Sequence, residues 1–371
     1  MKRAAIKALL LLIPLILLQE SAELQDGADA LLGAVDLSDW DAWFAAEAPD
    51  VPFRPSDFVH DLAGTEDPIK DQALPEQICS YALPSLKSAC AKLILFIGLA
   101  VLAAVLNGIH GTVSISKTAG TAFRFAAACT VLATVIAELR SVQTVLSRIG
   151  ALSERLLPVL LGYLTLTGME QTAGAVTALF TLLSDTVIRL LQTVIAPIAC
   201  VGGVMLALDA CTSGRLASIG KLLLRAAKWL LGLLCTGYGL LSALRGVAAA
   251  SADGLLIRTA KFAAGSLPAV GGIVSDSVEV AYRLLFLVRN ALGIGGAVLI
   301  LLLCAKPVLS VFFTRCSLRA ASAIAEPLSG KPYADLLRGL GDTLHVLLLS
   351  ELGAIAMALL AVSPMLIGGV G

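Results

Sequence analysis

Few residues in this 371-residue chain have the types and spacing that chemistry needs. The string Gly339-Leu340-Gly341-Asp342 reads as G-x-G-D, similar to the signature of aspartic intramembrane proteases. That chemistry requires two carboxylates sharing one proton, so a second aspartate must face Asp342 from another helix. Asp185, Asp209 and Asp276 are the near-membrane candidates, and all three fall near expected helix ends. The plainer reading makes Asp342 a negative charge or cap at the start of the last helix. His60, His110 and His345 lie in three separate regions, and no H-E-x-x-H, phosphate-binding loop or G-x-S-x-G elbow occurs. The eight cysteines include no C-x-x-C pair and read as small buried hydrophobes. Ionisable residues inside apolar stretches would be a transporter's mark, and Arg189, His345 and Glu351 qualify. No catalytic residue, cofactor or metal site is expected from this set.

The elements that must position these residues follow from composition. Hydrophobic residues make up 58% of the chain and charged ones 15%, against about a quarter in ordinary soluble domains. The net charge is zero, yet the charges are segregated: residues 20–83 hold 15 acids against two bases, whereas residues 86–371 hold 22 bases against 12 acids. Such long apolar stretches exceed the core of one soluble globule, so the fold class is an all-α polytopic membrane protein.

Lys2, Arg3 and Lys7 precede the apolar run Ala8–Leu18, the pattern of an export signal over residues 1–22. Ser21 and Ala22 suit cleavage, although Glu20 stands where a small residue is wanted. Residues 23–85 form an acidic, proline-rich extracytoplasmic segment, and residues 86–371 a polytopic transmembrane domain. The expected crossings are Leu86–Ile109, with Lys87 and Lys92 snorkelling, then Ala119–Leu139, Thr186–Leu208, Trp229–Leu244, Leu284–Ala305 and Leu344–Ile367. Arg140–Arg155 carries Val142, Val145, Leu146, Ile149 and Leu152 at helical spacing and reads as an interfacial helix. Leu156–Leu183 reads as a re-entrant or broken hairpin, interrupted at Pro158, Gly162, Gly168 and Gly174. A second surface helix is expected after Lys306, and the count comes to about seven crossings. Arg215, Lys221, Arg225 and Lys228 mark a cytoplasmic loop, and Lys306, Arg315, Arg319, Lys331 and Arg338 a second cytoplasmic stretch.

Two stretches echo each other. Ser184-Asp185-Thr186-Val187 is followed by Gly202-Gly203, and Ser275-Asp276-Ser277-Val278 by Gly295-Gly296, as in an internal duplication. Gly202, Gly203, Gly295 and Gly296, with Pro197 and Pro268, are the candidate helix-packing or pore positions, because glycine lets helices approach and proline breaks or kinks them.

The succession Leu267-Pro268-Ala269-Val270-Gly271-Gly272, Ser275-Asp276, Asn290-Ala291-Leu292-Gly293-Ile294-Gly295-Gly296 and Lys306-Pro307 resembles the C-terminal half of the stage III sporulation protein AE family. Ala325-Glu326-Pro327-Leu328, Asp335 and Leu340-Gly341-Asp342 continue it, and Leu157-Pro158 and Ala196-Pro197 fit upstream. The resemblance covers roughly residues 85–371 and leaves the acidic stretch peculiar to this chain. It implies a multi-pass protein of the mother-cell membrane, a non-enzymatic component of the channel between mother cell and forespore. The implied partners are the lipid bilayer, other membrane proteins of the stage III sporulation operon and a forespore membrane partner, in a hetero-oligomeric, secretion-like complex. No nucleic acid or cofactor is implied. A secondary transporter with an internal repeat is the alternative, and an intramembrane aspartic protease a more distant one.

The charge pattern makes a topology prediction. A reporter active only in the cytoplasm should work when fused near Ser218 or Ser322 and fail near Asp57. Activity at Asp57 would reverse the whole orientation.

Overall fold

The computed structural model describes residues 38–47, 54–64, 74–109, 115–166, 169–212, 216–265 and 271–367. The export signal of residues 1–22, Gly168 and Pro268 lie outside them. Every element among the described residues is helical: α1 (Ser38–Glu47), α2 (Pro55–Gly64), α3 (Leu74–Ile109), α4 (Ile115–Leu166), α5 (Glu170–Thr181), α6 (Ala196–Thr212), α7 (Ala217–Gly265), α8 (Gly271–Ser329) and α9 (Lys331–Ile367). Two π-helical stretches, Leu182–Ile188 and Leu191–Ile195, connect α5 to α6. Among the described residues six helices are long and apolar enough to cross a membrane, one fewer than the sequence count of about seven.

The difference has a local cause. Segments expected to lie on the surface or to break are continuous with the spans beside them. α4 is one helix of 52 residues, about 78 Å long at 1.5 Å per residue. Its Val142, Val145, Leu146, Ile149 and Leu152 are all buried. The periodicity of Arg140–Arg155 is therefore helical as expected, but its apolar stripe packs against the protein instead of lying in an interface. Pro158 and Gly162 sit within α4 and Gly174 within α5, so none of them ends a helix. Beyond the end of α4, the Met169 N–H donates to the Leu164 carbonyl at 3.0 Å. Likewise α8 runs unbroken for 59 residues through Pro307 and Pro327, absorbing the surface helix expected after Lys306. α3 starts at Leu74, ahead of the expected boundary at residue 85, and carries Pro84 inside it.

Pro197 behaves differently. A proline ring presses on the carbonyl four residues back and cannot donate to it. Here a π turn lies immediately ahead, and the Ala196 N–H bonds to the Leu191 carbonyl five residues back. The wider turn gives the ring room without ending the run of helix.

The α8 to α9 reversal is a single residue, Gly330, at φ 85°. A left-handed residue closes a helix at low cost only when it lacks a Cβ. At the α6 to α7 reversal, Asp209 Oδ1 accepts the N–H groups of Leu216 and Ala217 at 2.8 and 2.9 Å. These two turns bring the two basic stretches to the same end of the bundle, where Lys221 and Lys331 line one cleft.

α9 is the central helix, packed against α4, α5, α6, α7 and α8. Hydroxyls from neighbouring helices tie the bundle to backbone carbonyls, as expected where small polar groups have no water to bond. Ser322 Oγ donates to Ala334 O, Ser242 Oγ to Leu360 O, Tyr333 Oη to Phe96 O and Tyr238 Oη to Leu179 O, at 2.9 to 3.1 Å.

Part of the acidic segment docks on this bundle through charge and apolar burial together. Glu47 pairs with Arg148 at 2.8 Å, and the Arg155 guanidinium lies 5.6 Å from the centre of the Trp43 ring. Phe44, Phe58 and Val59 are buried, and Asp41 accepts both the N–H and the hydroxyl of Ser56, joining α1 to α2. Replacing Phe58 by Ala should cost about 3 kcal/mol locally and expose α1 and α2 to limited proteolysis while the spans stay intact. Unchanged protease resistance would mean that this docking contributes little.

Candidate functional site

Charged side chains meet inside the bundle where α3, α4 and α8 pass one another. Lys92 Nζ donates to Glu138 Oε1 at 2.5 Å and to Thr314 Oγ1 at 2.9 Å. Thr314 and Ser310 also hydrogen-bond to the Glu138 carboxylate, at 2.8 and 3.3 Å. The Glu138 side chain is 6% exposed, so most of its hydration has been replaced by one ammonium and two hydroxyls. Lys92 was expected to snorkel toward water. The structure instead turns it inward, because a buried carboxylate one helix away offers a stronger partner. Glu138 was not among the expected site residues. Its signal was available, since it is the first acid after Glu76 and ends the uncharged run from Phe125 to Ala137.

Glu351 lies on the central helix, fully buried, and neither carboxylate oxygen has a hydrogen-bond partner among the described residues. It is the sequence-derived ionisable candidate that lies deepest. The Nδ1 atom of His345 is also buried without a partner. Arg189, by contrast, is exposed at the protein surface and pairs with Asp185 one turn away at 3.5 Å.

Three of the four carboxylates weighed for a protease dyad have described surroundings, and the Asp276 side chain lies outside the described residues. Asp342 sits eleven residues into α9, so it neither starts nor caps that helix, and it pairs with Arg319 of α8 at 2.5 Å. The first three turns of α9 mix Lys331, Asp335 and Arg338 with the buried Tyr333, Ala334, Leu336, Leu337 and Leu340, so the helix already packs against the bundle ahead of Asp342. Asp209 shares a cleft with Asp342, but its carboxylate is taken up by the α7 backbone and the two do not bond each other. Asp185 lies in the π-helical stretch, pairs with Arg189 and does not line the cleft that Asp209 and Asp342 share.

The glycine pairs have different surroundings. A Cβ at Gly203 would stand 2.6 Å from Thr343 Oγ1, and one at Gly202 3.1 Å from the Leu224 side chain. At Gly296 the nearest atom would be Leu156 Cδ2 at 3.7 Å, an ordinary contact. Gly295 is buried in α8. The two echoing stretches also differ in backbone: Ser184 to Val187 is π-helical, while Ser275 to Val278 is in regular α-helix. Gly203 and Gly296 thus occupy unlike places, one at the α6 to α9 crossing and one at the α8 to α4 crossing.

Two expectations follow. Gly203→Leu should cost about 1–3 kcal/mol or more, because Thr343 on the central helix leaves no room. Gly296→Leu should cost less, and Gly162→Leu, with nothing within 4 Å of its Cβ position, should be accepted. Thermal unfolding in detergent would rank the three, and equal effects would remove any special role for the α6 to α9 crossing. Separately, Glu138→Ala should destabilise by about 2–4 kcal/mol by stranding Lys92, with Lys92→Met/Glu138→Met recovering part of the loss. A double variant no better than Glu138→Ala would argue against an energetic pair.

The chain is similar to stage III sporulation protein AE of Bacillus subtilis (strain 168), 27% identical over 199 residues. That match takes in 53% of this chain and 49% of the relative, so the chain spans about half the length of the curated relative it matches. No solved structure matches. The family described as stage III sporulation protein AE matches residues 53–369. The match begins well ahead of residue 85, so it takes in the sequence of α2 and of the start of α3, and leaves out residues 1–52 and 370–371. With six apolar helices and a match over most of its length, this chain belongs to the stage III sporulation protein AE family.

Proposed function

We propose that this chain is a non-enzymatic membrane subunit of the channel that joins mother cell and forespore across the two membranes between them. It resides in the mother-cell membrane and works by assembling with other membrane proteins of the stage III sporulation operon and with a forespore membrane partner. Its acidic segment, with α1 and α2, faces the space between the membranes. Membership of the family carries the reading, since it implies a sporulation role. The apolar surface supports assembly in a bilayer: Ile94 on α3 is 71% exposed, Trp229 on α7 70% and Leu240 on α7 64%. Faces of this kind are stable only against lipid or another apolar helix. The candidate packing positions Gly202, Gly203, Gly295, Gly296, Pro197 and Pro268 serve helix contact within this assembly.

A secondary transporter is the second reading, favoured by Glu351, because an unpartnered carboxylate inside a span is costly and tends to be kept where it works.

Photo-crosslinking groups at Ile94 and Leu240 in the sporulating host should capture other membrane proteins encoded beside this chain, and deleting the gene should abolish heat-resistant spores after engulfment. Wild-type spore yield without the gene would overturn the assignment. Solute uptake by liposomes containing this chain alone, lost in Glu351→Gln, would favour the transporter instead.

A further inference from the structure

At the basic end of the bundle a cleft of about 440 Å³ opens between α4, α6, α7 and α9. Arg124, Lys221 and Lys331 line it together with Asp209, Asp335, Asp342 and Arg338. The acids there are already engaged. Asp209 accepts the first N–H groups of α7, Asp342 pairs with Arg319, and Asp335 pairs with Arg338, which also holds Glu326. The three remaining cations are not. Lys221 and Lys331 make no ion pair or hydrogen bond among the described residues, and Arg124 spends only its Nε, on the Gly120 carbonyl at 3.3 Å. Three cations from three helices therefore converge on one concave space, and the acid there not paired to a cation, Asp209, is turned to backbone N–H groups, which leaves the cleft with an excess of positive charge.

The position of the cleft narrows what that anion is. Asp209 and Ala210 stand at the end of one apolar helix, Ala217 and Lys331 at the starts of two others. Spans that cross a bilayer have such ends at its surface, where phosphate groups are concentrated and each nearby Lys or Arg gains electrostatically. Leu206, Ala210 and Pro332 give the cleft an apolar wall beside its cationic one, suited to a group that is part charged and part hydrocarbon. A volume of this order is that of a small-molecule site.

We infer that Arg124, Lys221 and Lys331 form a binding site for a phosphate-bearing anion at the membrane surface. The chemistry is that of a phosphomonoester or phosphodiester, held by charge-assisted hydrogen bonds from a guanidinium and two ammonium groups. An anionic lipid headgroup and a soluble phosphate both supply it. The site is independent of the channel assignment, since it rests on this cleft alone.

The test uses the full chain purified in neutral detergent, titrated with short-chain phosphatidylglycerol, with phosphatidylcholine of the same chain length, and with inorganic pyrophosphate. Saturable binding of phosphatidylglycerol in preference to phosphatidylcholine is expected. The combined variant Arg124→Gln, Lys221→Gln and Lys331→Gln should weaken it by roughly one to two orders of magnitude. The combined variant Lys87→Gln, Arg140→Gln and Arg189→Gln, which removes the same charge elsewhere, should bind as the unaltered protein does. Lys221→Gln alone, checked for native helix content by circular dichroism, should give a several-fold loss if the triple variant does not fold. Competition by pyrophosphate assigns the site to soluble phosphate compounds, and its absence to a lipid headgroup. Equal binding of the two lipids, no loss in the cleft variants, or equal loss in the control variant would overturn the proposal.

Discussion

In an apolar chain that lies in lipid, every backbone N–H and C=O must find its partner inside the protein, and this constraint governs the rest of the structure. It explains why elements that would break in water run on here. A helix end inside the apolar zone exposes up to four unsatisfied groups, whereas a proline inside a helix costs one bond and a local distortion. Pro84, Pro158, Pro307 and Pro327 are accordingly carried within helices. Ahead of Pro197 the same constraint is met by changing the helix type: the π turns of Leu182–Ile188 and Leu191–Ile195 re-pair the backbone without interrupting it. The reversals are then left to short, well-capped turns, at Gly330 and at the Asp209-capped start of α7.

Helices of this length leave charges inside the bundle that must be answered from across it. Lys92, Glu138, Ser310 and Thr314 join three helices through one polar junction. Such a junction adds little net stability over a well-packed apolar one, but it penalises any register in which its members do not meet. The weaker inter-helix bonds to carbonyls, such as Ser322 to Ala334, serve the same purpose at lower cost. Charge segregation along the chain becomes charge segregation in space. Arg148 and Arg155 hold α1 through Glu47 and Trp43, while the basic residues around the α6 to α7 and α8 to α9 turns gather at the cleft.

The central helix connects these parts. α9 meets Gly203 through Thr343, the α8 basic stretch through Asp342, and carries Glu351 at its buried core. This internal frame leaves the outer helices, α3 and α7, with apolar faces turned away from the bundle, where lipid or another apolar helix can cover them.

The all-helical class, the presence of apolar spans and the helical phase of residues 140–155 were legible in the sequence, because apolar periodicity and window hydrophobicity are properties of a few consecutive residues. So was the family, through motifs whose order survives in one dimension. What the sequence could not decide was where helices end, since Pro158 and Gly162 carry the same local signal whether or not lipid and neighbouring helices make a break too costly. Nor could it give partners. Lys92 reads as a snorkelling lysine until Glu138 is placed beside it, and Asp342 as a helix cap until α9 is extended to Lys331. Gly203 and Gly296 look equivalent in sequence, yet one abuts Thr343 and the other has room, because the distance between two helices is set by every residue along both. Tertiary packing alone brought Arg124, Lys221 and Lys331 from distant stretches into one cleft, since charge placement in space depends on turns and crossings that no local pattern encodes.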